Sequence, residues 1–299
     1  MTHISATDDT LDALVKQVCV PLFATGLLLK GGHDESATSA TVTFVQYESR
    51  VYAVTCHHVI SAFFSEAVRT GRRIVPTIHS GKAIHQFGGF DTQGQYLWSF
   101  HSCRAFPAAT AIDDEAALAD LDRANASKPD IAIAELTEIW PVFRAVRGAE
   151  AINLDEWNEP DWSTAQPVWM AYGFPDEHKH RTGDKVAAPM PRVAARLASS
   201  LPSVEKPTYI LSSLLDADHG WGFSGMSGGP VLVAHATDDR FAFVGITFEG
   251  APSSKELQEN AQAFVGKSDI VLMGYHLTPQ QFAAWLAQRK YSVALPPVP

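Results

Sequence analysis

Three short stretches of this chain carry residue types that could do chemistry together. Ser227 sits among glycines in Gly225-Met226-Ser227-Gly228-Gly229-Pro230, and His58 follows the strand-like run VYAVT in Cys56-His57-His58-Val59. Asp130 stands at the mouth of a second apolar run, in Lys128-Pro129-Asp130-Ile131-Ala132-Ile133-Ala134. Each has a plain structural reading: a glycine-rich turn, a histidine at a strand end, and an aspartate that bonds its own backbone where a strand starts. The chemical reading needs all three, because a serine hydroxyl is a poor nucleophile at neutral pH until a histidine takes its proton and an acid holds that histidine. Asp130 follows His58 by 72 residues, and Ser227 follows Asp130 by a further 97. A zinc site from Cys56, His57 and His58, or one involving His178 and His180, lacks any C-x-x-C or H-E-x-x-H spacing, so no metal or other cofactor is expected.

The chain that must position these residues has 299 of them, 46% hydrophobic and 19% charged, enough to bury a large core. With 23 basic against 33 acidic side chains and a formal net charge of −10, it lacks the concentration of Lys and Arg that a phosphate backbone requires, and no nucleic acid is expected as a partner. No apolar run approaches the roughly 18 to 20 residues that span a bilayer. The start, MTHISATDDTLDALVK, is acidic where a secretory signal is basic and then apolar, so no membrane partner and a cytoplasmic location are expected. Cys19, Cys56 and Cys103, odd in number and widely spaced, suit reduced thiols.

Leu11, Leu14, Val15 and Val18 fall at helical spacing, which predicts an amphipathic helix over 9–18. From Pro21 onward the pattern is short strand-like runs: PLFATGLLLK, then ATVTFVQY and VYAVT separated by the turn-sized Glu48-Ser49-Arg50, which reads as a hairpin. Further runs follow at RRIVPTIHS, QYLWSF, DIAIAEL, QPVWMAYGF, PTYILSSLL, GPVLVAHA, RFAFVGITF and DIVLMGYHL, and two antiparallel barrels would hold that many strands. DDEAALADLDRA at 113–124 reads as a solvated, inserted surface helix. Thr278 as N-cap and Pro279 at the first position, followed by QQFAAWLAQRK, predict a firm terminal helix. Residues 148–166 read as a connection between halves, and 176–206 as a long loop-rich excursion.

Gly225-Met226-Ser227-Gly228-Gly229 fits two patterns. As G-x-S-x-G it matches the nucleophile elbow of α/β-hydrolases, a strand-to-helix turn; as G-x-S-G-G-P it matches the nucleophile loop of trypsin-like serine peptidases. The elbow needs a helix directly after the serine, yet VLVAHA and Thr237-Asp238-Asp239 read as a strand and a turn, and only 72 residues remain for further βα units of roughly 30 residues each. The peptidase reading therefore ranks first.

The three segments VTCHHVI, DIAIAEL and GMSGGPV together resemble the histidine, acid and serine segments of trypsin-like serine peptidases of the intracellular bacterial type, in that family's order. The resemblance covers about residues 20–290, with VWMAYGFP, the hairpin around FVGITFEG and the closing helix as weaker matches. It implies a mainly β fold of two antiparallel six-stranded barrels with an N-terminal and a C-terminal helix. The corresponding division is 1–19 as a helical extension, 20–147 as the barrel carrying His58 and Asp130 with a helical insertion at about 104–126, 148–277 as the barrel carrying Ser227, and 278–299 as helix and tail. It also implies a Ser-His-Asp endopeptidase acting through an acyl-enzyme, with Ser227 as nucleophile, His58 as base, Asp130 as its orienting acid and the backbone N–H groups of Gly225 and Ser227 as oxyanion hole. His58, directly before Val59, occupies the pattern's histidine and His57 a variable position.

Met226 stands where digestive-type members carry an aspartate, so activation by a new N-terminus is not expected. By resemblance the substrate pocket is walled by Trp221, Phe223 and Ser224 and by Thr247, Phe248 and Glu249, and the acidic Glu249 suggests a basic residue before the scissile bond, or equally a mere strand-end charge. The expected partners are protein or peptide substrates and, because an intact triad inside a cell calls for restraint, an activating or regulatory protein. The alternatives are a catalytically silent trypsin-like binding module and, ranked lower, an α/β-hydrolase esterase.

Overall fold

The computed structural model describes residues 3–5, 8–24, 39–71, 76–79, 84–86, 99–160, 162, 168–175, 180–182, 185–215, 225–234, 240–252 and 268–292. In chain order its strands are β1 (His3–Ser5), β2 (Cys19–Ala24), β3 (Ser39–Tyr47), β4 (Arg50–Thr55), β5 (Pro76–His79), β6 (Ile84–Gln86), β7 (His101–Ser102), β8 (Ala132–Glu135), β9 (Ile152–Asn153), β10 (Val168–Tyr172), β11 (His180–Thr182), β12 (Lys185–Ala187), β13 (Arg192–Leu197), β14 (Thr208–Leu215), β15 (Pro230–Ala234), β16 (Arg240–Pro252), β17 (Ser268–His276) and β18 (Tyr291–Ser292). The helices are α1 (Asp8–Val18), α2 (His57–Thr70), α3 (Glu115–Asn125), α4 (Trp140–Arg147) and α5 (Pro279–Gln288).

In the second half, β16-β15-β10-β13-β14-β17 pair in that order, all antiparallel, and β16 returns to β17, which closes a six-stranded barrel. Inward positions alternate along its strands, with Trp169, Ala171, Val231, Val233, Leu272 and Ile270 buried together, as the two-residue period of a strand requires. In the first half, β18-β7-β8-β4-β3-β2-β5-β6 form a second sheet, with β9 beside β3, and among the described residues this sheet is open. Of the two six-stranded barrels expected, the described residues thus show one closed barrel and, in the other half, a sheet. The run QYLWSF lies mostly outside the described residues, and its last two, Ser99 and Phe100, precede β7 without being strand.

Sheet membership also cuts across sequence order. β1, ahead of the N-terminal helix, pairs with β16 of the barrel, while β18, after the terminal helix, pairs with β7 of the other sheet. The β3–β4 hairpin forms as its sequence suggests, with Glu48 and Ser49 at positive φ and their N–H groups donating to the Asp155 carboxylate at 2.6 and 3.1 Å. The excursion at 176–206 is less loop-rich than expected, since it contains the β11–β12 hairpin and β13, a barrel strand.

Helices α1, α3 and α5 match the sequence expectations. Asp114 caps α3 by accepting from Ala116 and Ala117 N–H, and Thr278 caps α5 by accepting from Gln281 N–H at 3.1 Å. Phe282 and Trp285 of α5 are sunk between the two halves, against Tyr52 and Val54 on one side and Tyr275 and Ile246 on the other. Helix α2 was not expected; it buries His57, Ile60, Phe64 and Ala67 at helical spacing under the first sheet and ends at Gly71 in the left-handed conformation. No described helix is long and apolar enough to cross a membrane.

Candidate active site

Ser227, His58 and Asp130, from three separate elements, meet in one place. Strand β4 runs into α2 at Cys56, so that His57 and His58 open the helix and point apart. His58 is exposed; its Nδ1 lies 2.7 Å from Asp130 Oδ2 and its Nε2 3.0 Å from Ser227 Oγ. A carboxylate can only accept, so Nδ1 carries the proton and Nε2 presents a lone pair to the serine hydroxyl. The Ser227 hydroxyl has a second acceptor in Phe248 C=O, at 3.3 Å. That carbonyl is offered at an irregularity in the β16–β17 register, between Thr247 and Glu249.

Asp130 is buried and does not cap its own strand. It accepts the His58 backbone N–H at 2.9 Å through Oδ1, and its own N–H donates to the Tyr275 hydroxyl at 2.9 Å. Burial pushes its pKa up, but the hydrogen bonds and charge of His58, with the Arg104 guanidinium 3.7 Å from Oδ1, outweigh that and hold it below the usual carboxylate range. His57 faces inward, against Phe106 with centroids 4.4 Å apart and the rings tilted by 35°, and with Nδ1 2.8 Å from Ser102 Oγ. Because Ser102 donates its own proton to Ile131 C=O, His57 must be the donor to it. Burial lowers the His57 pKa to about 4. Of the adjacent pair, His58 alone can reach the serine. Cys56, whose Sγ points to Thr247 C=O, and the two histidines do not converge on one point.

The serine loop is fixed by its carbonyls. Gly225 C=O accepts from the Thr41 hydroxyl at 2.8 Å, Met226 C=O from Gly229 N–H at 2.8 Å, and Ser227 C=O from Thr41 N–H at 3.0 Å. Gly228 C=O accepts from the Thr43 hydroxyl at 2.7 Å, and Gly229 C=O from Thr247 N–H at 2.8 Å. The Thr41 hydroxyl also accepts Phe174 N–H at 3.0 Å. Threonines of β3, in the first half, therefore grip the loop of the second. Every carbonyl from 225 to 229 is engaged, while the N–H groups of Gly225 and Ser227 have no acceptor among the described residues. Gly228 has a φ of +90°, and a Cβ there would come 2.1 Å from Thr41 O, so no other residue fits.

Ser227 is followed by strand β15, which excludes the strand-to-helix elbow. Trp221, Phe223 and Ser224 lie outside the described residues. Thr247 is enclosed, with both its backbone groups committed to the serine loop; Phe248 stacks on Tyr275 at 4.3 Å; Glu249 is exposed. Residues that the sequence reading missed are Arg104, Tyr275 and the threonines of β3, whose only signal is the Thr-x-Thr alternation in SATVTFV.

No family model matches the chain, and no curated protein does. Among solved structures, one that is similar is a thermostable serine protease, AL20, from an extremophilic microorganism, with 12% identity and a TM-score of 0.39 over 91% of this chain and 97% of that one. A likeness that weak carries no argument about activity, and the functional reading rests on the residues themselves.

Proposed function

We propose that the chain is a trypsin-like serine endopeptidase that hydrolyses peptide bonds of protein substrates through an acyl-enzyme at Ser227. The observation that carries this reading is His58 bridging Ser227 Oγ at 3.0 Å and Asp130 at 2.7 Å, beside a loop whose Gly225 and Ser227 N–H groups have no acceptor among the described residues. His58 Nε2 takes the hydroxyl proton as Ser227 Oγ attacks the scissile carbonyl carbon. The negative charge that develops on the carbonyl oxygen is met by the two N–H groups, a kind of donor worth about 3 to 4 kcal/mol in a transition state. The imidazolium, held by Asp130, then protonates the leaving nitrogen as the C–N bond breaks; a water, deprotonated by His58, attacks the remaining ester, and His58 returns that proton to Ser227 Oγ as the C–O bond breaks. In this reading the first-half sheet is the counterpart of the family's other barrel, the protein works in the cytoplasm, and a narrow substrate set or an activating protein restrains it. Glu249, exposed at the β16 irregularity, favours a basic residue before the cleaved bond.

The test is incubation with a mixed peptide library and sequencing of new amino termini, with Ser227→Ala in parallel. Products made by the wild type alone, enriched after Arg and Lys, are expected. Identical products from Ser227→Ala would sink the peptidase reading; none from either would mean a latent enzyme awaiting its partner or a silent binding module; products without basic enrichment would sink only the role of Glu249.

A further inference from the structure

Asp130 has two oxygens with different partners. Oδ2 faces the His58 ring, whereas Oδ1 takes the His58 backbone N–H and lies 3.7 Å from Arg104 Nη1. Arg104 is not a loose surface side chain. Its Nε–H donates to Lys128 C=O at 3.0 Å, two residues before Asp130, and its backbone N–H donates to Ser102 Oγ at 3.0 Å. The next residue, Ala105, exchanges two hydrogen bonds with the buried Asn125 amide, at 3.0 and 2.9 Å, which clamps the base of the inserted segment where Arg104 leaves the sheet.

Resting on the peptidase reading, we infer that Arg104 is a positioning residue: it holds the Asp130 carboxylate through Oδ1 and shares its negative charge with His58. The remaining groups that face this pair do not substitute for it. The Lys128 ammonium is turned to Asn125 Oδ1 at 3.4 Å and over the Tyr291 ring. His57 is neutral, and the Cys56 thiol and Tyr275 phenol are kept protonated by burial. A fixed cation on Oδ1 keeps the buried carboxylate ionised, and it also opposes the imidazolium, so it sets how far toward acid pH the His58–Ser227 pair keeps working.

The experiment compares full-length wild type, Arg104→Gln and Arg104→Lys, using the pH dependence of the fluorophosphonate labelling rate and, independently of labelling, the NMR titration of the His58 ring protons. In Arg104→Gln the acid limb and the NMR midpoint should both move up by about half a unit to one unit, as expected for loss of a nearby like charge. The rate at pH 8 should fall roughly 3- to 10-fold as Asp130 loses its anchor. Arg104→Lys should keep both midpoints near the wild type. Rates that fall equally at every pH with both midpoints unchanged would overturn the inference and leave the peptidase reading intact. A midpoint that follows the charge in a protein that never labels would support Arg104's hold on the pair in a latent enzyme or a silent binding module.

Discussion

Ser227 and His58 meet across 3.0 Å, yet the two halves of the molecule hold them by unlike means. The serine side is fixed by backbone: five consecutive carbonyls are engaged, and a glycine fits where no Cβ can. The histidine side is fixed by charge: a buried carboxylate placed between an imidazole and a guanidinium. Backbone hydrogen bonds to neutral hydroxyls do not titrate, whereas an ionic arrangement does. The geometry of the nucleophile should therefore be sensitive to shape and insensitive to pH, and the base should be the reverse.

The strongest break of that contrast is Gly228→Ala. The new methyl would lie 2.1 Å from Thr41 O, so the loop must shift, and a loss of labelling rate of about 1,000-fold is expected with a destabilisation of about 3 kcal/mol or more, read from urea unfolding. A milder one is Thr41→Val, which keeps shape but leaves Gly225 C=O and Phe174 N–H without their buried partner. It should cost about 1 to 3 kcal/mol and slow labelling roughly 10- to 100-fold at every pH alike, with Thr41→Ser restoring most of both. A pH-dependent loss in Thr41→Val would contradict the division.

The smallest effect concerns stability rather than rate. His57 and His276 are buried, and burial lowers both pKa values to about 4 from the ordinary 6.5. A depressed histidine pKa means that the unfolded chain binds the extra proton, so stability is complete above pH 6.5 and is lost as the pH falls toward 4, by up to about 2 to 3 kcal/mol for each ring. Asp130, also held below its usual range, adds its loss only at still lower pH, as it is protonated in the fold. Urea midpoints measured from pH 8 to pH 4 should show most of the decline between 6.5 and 4. A flat profile there would mean that these rings are hydrated.

The candidate site was legible in sequence where its parts are local. A serine loop, a strand-end histidine and a strand-mouth aspartate each occupy a short segment, and their types and order suffice to single out Ser227, His58 and Asp130. What was not legible depends on contacts across the chain. Arg104 reaches Asp130 because the inserted segment returns to the sheet beside it, and Thr41 reaches Gly225 across a separation of 184 residues. Helix α2 was not read from the sequence, although His57, Ile60, Phe64 and Ala67 fall at helical spacing. Strand β13 was hidden among Pro189, Pro191 and Pro202, although Val193 and Ala195 alternate with exposed neighbours. Of the two expected barrels the described residues show one closed, and no described strand joins β6 to β18 in the other half.

The central claim is tested most directly by treating the wild type, Ser227→Ala, His58→Ala and His57→Ala with a fluorophosphonate at pH 8 and mapping the adduct by mass spectrometry. The expected result is a single adduct on Ser227 that is lost in Ser227→Ala, falls by orders of magnitude in His58→Ala and persists in His57→Ala. An adduct on another residue, or labelling of Ser227 that is indifferent to His58, would contradict it.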